Sequence, residues 1–160
     1  MPPAKLKLSV LLDLLDSDRA GYVALLDLET GEAVIMEARL VEAARRGDRA
    51  VLARVPVWQI PDAELAEVIA KDADGRRFIA GPDRRGFGER GHMERFMGSL
   101  ENAGHADQLR RALEGADGVS EFKETVDRLD LLDAWLAWRD AAMKAYVRAW
   151  AEERGFPVAD

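Results

Sequence analysis

The sequence predicts an α+β fold, with a small antiparallel sheet or hairpin in the first half and a helical bundle in the second. Three observations carry this. Residues 22–28 (YVALLDL) are apolar and β-capable, and residues 33–36 (AVIM) are apolar again. Between them stands Glu29-Thr30-Gly31-Glu32, where Gly31 accepts positive φ and permits a tight turn between two strands. From about residue 87 onward, apolar residues recur at i, i+3, i+4 and i+7, the period of helices with one buried face.

The remaining elements follow in order. Ser9 is an N-cap by residue type. Val10, Leu11, Leu14 and Leu15 share one helical face, with Asp13 and Asp16 off it, so a short amphipathic helix precedes the hairpin. After the hairpin, EARLVEAARRG reads as a helix that stops at Gly47. RAVLARVPVWQI fits a helix end or a strand, so residues 37–60 stay open between helix and strand. Pro56 argues against a central strand and permits an edge. Pro61 and Asp62 open a helix with Leu65, Val68 and Ile69 on one face, ended by Asp74-Gly75. Residues 77–80 form a short strand closed by Gly81-Pro82.

In the second half, Met93, Phe96, Met97 and Leu100 mark one helix, and Leu109, Ala112 and Leu113 another ending at Gly115. Val119, Phe122, Val126 and Leu129 mark a third, capped by Ser120 or Asp117. The last runs from about residue 131 to 154, stopped by Gly155 and Pro157. It holds three of the four tryptophans. At 100° per residue, Leu131, Leu132, Trp135, Trp138, Ala142, Met143, Tyr146, Ala149 and Trp150 fall within about 140°. Asp133, Asp140, Lys144, Arg148 and Glu152 fall outside. A stripe of this width belongs in a core, because left wet it would be an unusually large apolar patch. Arg139 sits inside the stripe. Its charge needs a carboxylate such as Glu121, Asp127 or Glu94, or else an anionic ligand held in an aromatic pocket.

Composition sets the frame. The 160 residues suit one domain, 1–160, with a mixed α/β part over 1–85 and a helical part over 86–156. At 48% hydrophobic and 33% charged the chain reads as globular. With no cysteine it has no disulfide framework, cysteine nucleophile or cysteine metal site, which suits a reducing cytoplasm. The opening MPPAKLKLSVLLDLLDSD is interrupted by Asp13 and Asp16, so it does not read as an export signal, and no run is long enough to span a membrane. The net charge of −7 opposes nucleic acid as a partner.

HMERFMGSL (92–100), QLRRALEG (108–115), EFKETV (121–126), LLDAWLAWRD (131–140) and Trp150 with EERG after it come in a fixed order, as does YVALLDLETGEAV (22–34). In that order of motifs the chain resembles a bacterial family known as uncharacterised protein family 158. The resemblance covers residues 90–156 well and 5–36 more loosely, while 37–88 match poorly. It implies only a small soluble bacterial protein and carries over no assigned activity. Where the family tends to carry basic residues after a glycine-rich stretch, this chain has Gly115-Ala116-Asp117-Gly118-Val119-Ser120-Glu121-Phe122-Lys123.

No catalytic constellation emerges, so the chain does not read as an enzyme, and no cofactor or metal site is expected. GFGERG (86–91) matches a dinucleotide fingerprint, but Pro82 and a polar turn precede it and the repeated βαβ units are missing, so it reads as a loop leading into a helix. His92 and His105 have no metal-ligand spacing. The expected function is protein interaction, with an unknown partner or with itself. One alternative is a small anion or nucleotide held by Arg139, Trp138 and Lys123, or by the Arg-rich stretch 76–90. A second is nucleic acid on that stretch, through Arg76, Arg77, Arg84, Arg85 and Arg90.

Overall fold

A computed structural model of the chain describes residues 5–160. Residues 1–4, part of the opening stretch read for an export signal, lie outside the described residues. The elements are β1 (Leu6–Lys7), α1 (Leu8–Asp16), β2 (Tyr22–Asp27), β3 (Glu32–Glu37), α2 (Ala38–Arg46) and α3 (Arg49–Ala53). A 3₁₀ turn (Val57–Gln59) leads into α4 (Ile60–Lys71), β4 (Phe78–Ala80) and α5 (Arg84–Phe87). Then come α6 (Glu89–Ser99), α7 (Ala103–Glu114), α8 (Gly118–Arg128), α9 (Leu132–Glu153) and β5 (Val158–Ala159). The class is the expected α+β: an antiparallel three-strand sheet in the first half and helices α6–α9 in the second. The chain forms two units, Met1–Arg84 with Val147–Asp160, and Arg85–Tyr146. Among the described residues no helix is long and apolar enough to cross a membrane.

In the first unit the strand order is β3-β2-β4. The hairpin forms where its turn residues place it. Gly31 takes φ 76°, and its N–H donates to the Asp27 carbonyl at 2.7 Å. Val34 and Met36 of β3 and Phe78 of β4 share a core with Leu40 and Val41 of α2 and Ala66 and Ile69 of α4. Each fully buried aliphatic side chain in it contributes about 1.5–3 kcal/mol by area removed from water.

Four local readings change in this unit. The first helix begins at Leu8, so Ser9 lies inside it and is not its cap. The cause is β1, whose Leu6 and Lys7 pair in parallel with Val158 and Ala159 and keep the chain extended up to the helix. A two-residue strand has no periodicity to read. Second, the stretch left open between helix and strand forms two helices and a 3₁₀ turn between residues 38 and 59. Gly47 caps α2 at φ 69°, the Asp48 carboxylate accepts from Val51 N at 3.3 Å to cap α3, and Pro56 precedes the 3₁₀ turn. Third, α4 buries Ala63, Ala66 and Ile69, while Leu65 is half-buried and Val68 is exposed. Alanines let α2 approach closely, so the contact face follows small residues rather than the largest ones. Fourth, α4 ends at Lys71, ahead of Asp74-Gly75. The Asp72 carboxylate accepts the amides of Arg76, Arg77 and Phe78 at 3.2, 3.0 and 2.8 Å and turns the chain into β4. The Phe78 amide, with the other two, holds that carboxyl below the usual carboxylate range.

In the second unit Met93, Phe96, Leu109, Leu113, Phe122, Val126 and Trp135 form the core. The Trp135 indole stands edge-on to Phe96 at 5.3 Å and to Phe122 at 5.1 Å. Asp117 stands at the N-cap of α8 but makes no side-chain capping bond. The GFGERG stretch is not a loop: α5 ends at Phe87, Gly88 takes φ 69°, and α6 starts at Glu89. The strand before it, β4, pairs antiparallel with β2, which is not the parallel setting of a dinucleotide fingerprint. Arg90 Nη2 donates to the Leu113 carbonyl at 2.9 Å, at the end of α7.

The buried face of α9 holds Trp135, Met143, Val147, Trp150 and Ala151, with Trp138, Arg139, Ala142 and Tyr146 half-buried. Leu132 and Ala149 of the expected stripe are exposed instead. Most of the aromatic run is therefore core. Past α9, Gly155 at φ 75° reverses the chain, and Phe156 N donates to Ala151 O at 2.9 Å. The Phe156 ring lies 6.2 Å from that of Trp150, which directs β5 back onto β1.

Gly118 offers a test of the packing at the start of α8. A Cβ there would overlap the Leu113 carbonyl, which is backbone and cannot swing away. Gly118→Ala is expected to cost about 3 kcal/mol, the upper range for overpacking. Urea unfolding would measure it, and a loss below about 0.5 kcal/mol, the surface value, would show that the α7–α8 corner yields.

Candidate interaction surface

The arginines singled out in the sequence mostly hold the protein together. Arg77 donates from Nε and Nη2 to Asp27 Oδ1 and Oδ2 at 3.0 and 2.9 Å, and its Nη1 lies 3.2 Å from Glu29 Oε2. Asp27 is 4% exposed. Burial pushes its carboxyl up, but the Arg77 guanidinium and the Glu29 amide together outweigh this and hold it below the ordinary carboxylate value. Arg84 donates from its backbone N–H to Asp18 and from its guanidinium to the carbonyls of Leu15 and Asp16. Arg90 ties α6 to α7, as above, and lies near Glu94. Arg76 is exposed beside Asp74. Arg85 and Lys123 are exposed, and neither forms an ion pair among the described residues.

Arg139 takes a carboxylate, though not one of the three expected. Its Nε and Nη2 donate to Glu89 Oε1 and Oε2 at 2.6 and 3.0 Å. Glu89 opens α6 directly after Gly88, so the glycine break in the GFGERG stretch sets it where the guanidinium lies. Phe87 stacks on His92 at 4.3 Å and tilts against Tyr146 at 5.6 Å. Burial, and then the Arg95 charge, push the His92 imidazole below its usual value. Trp138 stands edge-on to Phe96 at 5.8 Å, and its Nε1–H has no acceptor among the described residues. Lys123 projects from the exposed side of α8.

The surface feature that stands out lies elsewhere, in the stretch least legible in the sequence. In the 3₁₀ turn and the start of α4, burial is inverted with respect to polarity. Gln59 is 3% exposed and accepts from Arg39 Nη2 at 3.3 Å. Val57 is 82% exposed, Trp58 72% and Ile60 44%. A buried polar side chain flanked by exposed large apolar ones is the informative combination, whereas a lone exposed leucine is ordinary.

One cleft reaches the residue after this turn, and a second shares part of its wall. The first, of about 240 Å³, is lined by Leu52, Ala53, Ile60 and Ala63, with Arg49 and Glu67 at its sides. The other, of about 610 Å³, shares Arg49, Leu52 and Glu67 and adds Arg45 and Lys71. In the smaller cleft Arg49 comes from α3 and Glu64 and Glu67 from α4, while the larger one mixes Arg45 and Arg49 with Glu67 and Lys71. Arg45, Arg49, Glu64 and Glu67 form no ion pair among the described residues.

Sequence periodicity missed this surface because it searches for apolar faces that point inward. One signal was available: VWQI, behind a proline and one turn long, cannot bury all its apolar residues at once. Among the described residues, no three histidine, aspartate or glutamate side chains gather as a metal site.

Two outcomes follow for the internal ties. Because the Asp27 carboxyl is depressed in the folded state, its stabilisation is complete above the unfolded value of about 3.9 and is lost as pH falls through the folded value. From about pH 5 to about pH 2, the native chain should therefore lose more stability than Asp27→Asn does. Equal slopes for the two would remove the Asp27 contribution. Arg139→Leu is expected to cost about 1.5–3 kcal/mol, the range for hydrogen bonds to charged groups. Adding Glu89→Leu should cost less than the sum of the two single changes, and strict additivity in thermal melts would deny the coupling.

No family model, curated protein or solved structure matches the chain.

Proposed function

We propose that the chain is a non-enzymatic protein-interaction domain whose contact surface is the face made by Val57, Trp58 and Ile60. The observation that carries the reading is the inverted turn, which holds Gln59 inside and leaves Trp58 72% exposed. A tryptophan held outward by a rigid turn is the side chain that most often anchors protein interfaces. Covering it returns a few kcal/mol by area, at little cost in side-chain freedom. A cleft lined by Ile60, two residues beyond Trp58, offers a concave apolar wall.

A second reading, a small anionic ligand, is favoured by one observation. Arg45, Arg49 and Lys71 line a single cleft of about 610 Å³. Inorganic phosphate and nucleotides at millimolar concentration would raise the melting temperature if this cleft binds them. At 100 times Kd the added stability is about 2.7 kcal/mol. An unmoved transition would remove this reading.

Trp58→Ala is expected to change stability by no more than about 0.5 kcal/mol, as for a surface side chain away from the core. A photo-crosslinking phenylalanine analogue in place of Trp58 is expected to give a discrete protein adduct in expressing cells. The same analogue in place of Arg85, exposed in the other unit, is expected to give none. If position 58 yields no discrete adduct, the interaction reading fails.

A further inference from the structure

The charge layout around Trp58 carries more than a generic contact. An interface between two identical chains related by a two-fold axis must be complementary to itself, so that residue i meets j and j meets i. This face has both shapes and both signs. Trp58 projects, and the cleft lined by Leu52, Ala53, Ile60 and Ala63 recedes. Ile60, two residues beyond Trp58, lines the recess and is itself exposed. Arg49 stands on the α3 side of the cleft, and Glu64 and Glu67 on the α4 side.

We infer that this face is the interface of a two-fold dimer of the chain. The two-fold axis runs along the cleft, so the cleft of one copy covers that of the other, Arg49 of each copy faces Glu67 of the other, and each Trp58 ring packs against the partner beside it. The inference rests on the reading of the Trp58 face as a protein contact. Rotation about that axis lays α3 of one copy along α4 of the second, and the reverse. Like charges then separate and opposite charges meet twice. The same pattern disfavours nucleic acid, because Glu64 and Glu67 would face its phosphates. It also disfavours a partner of uniform charge, which would meet repulsion on one side of the cleft.

The experiment uses the full chain. Sedimentation equilibrium from about 1 to about 300 µM covers weak to moderate self-association. The mass is expected to rise with concentration from that of one chain to that of two. Arg49→Glu and Glu67→Arg are both at exposed positions, and each should weaken the dimer at least about tenfold, by setting like charges against each other twice. Each variant's melting temperature at low concentration should stay that of the native monomer. An equimolar mixture of the two variants is the decisive sample. In the mixed dimer the glutamate at 49 meets the arginine at 67, and the unchanged Glu67 meets the unchanged Arg49, so the two-chain mass should return. A native chain that stays at one-chain mass throughout overturns the inference. So do single variants that dimerise like the native chain, or a mixture that stays monomeric. If the native chain is monomeric while position 58 crosslinks to a different protein, the dimer falls and the interaction reading stands.

Discussion

A buried carboxylate governs the first unit. Asp27 ends β2 with almost no access to water, and an ionised group there must be paired and hydrogen-bonded to be tolerated. Its partner is Arg77, fifty residues away in sequence, bound through both carboxylate oxygens. That pair sets β4 beside β2 with Phe78 opposite Asp27, and the Glu29 amide on the same carboxylate closes the hairpin. With the register set, Val34, Met36 and Phe78 belong to the core that α2 and α4 complete. The chain between α2 and α4 then has little left to bury. It contributes Leu52, Val55 and Gln59 to the interior, and Val57, Trp58 and Ile60 remain outside.

Arginine use follows a consistent logic. A guanidinium presents five donors in a fixed fork and stays charged at any physiological pH, which suits it to tie elements whose carbonyls and carboxylates are half-buried. Arg77, Arg84, Arg90 and Arg139 each do this, two of them on carboxylates and two on backbone carbonyls. In an acidic chain, α2 and α3 nonetheless carry Arg39, Arg45, Arg46 and Arg49 against a single acidic residue, Glu42. The local charge there runs against that of the whole molecule, which gives a surface a direction for association.

The aromatic run of the last helix and the lone Trp58 show how differently tryptophan can be used. Trp135 is enclosed by Phe96 and Phe122, and Trp150 packs on Phe156 under the Arg154 guanidinium. Those rings sit in a helix long enough for periodicity to declare its buried side. The buried side is turned toward Val147 and Ala151, because packing selects surfaces that fit closely, and small residues fit as well as rings. Trp58 sits in a single turn, where periodicity says nothing.

By itself the sequence determined the α+β class, the hairpin around Gly31, the stop at Gly47 and every helix from α6 to α9. These depend on spacing, turn chemistry and capping, which act over a few residues and are written locally. It also showed that Arg139 needs an opposite charge. Only the tertiary structure decided that the charge is Glu89, that Asp27 is clasped by Arg77, and that two residues near each end of the chain pair as strands. These are contacts between distant segments, and no local pattern encodes which of many carboxylates comes within reach. The exposure of Trp58 belongs with them. Burial is shared out among all segments competing for the same core, and a residue is left outside when others have filled it.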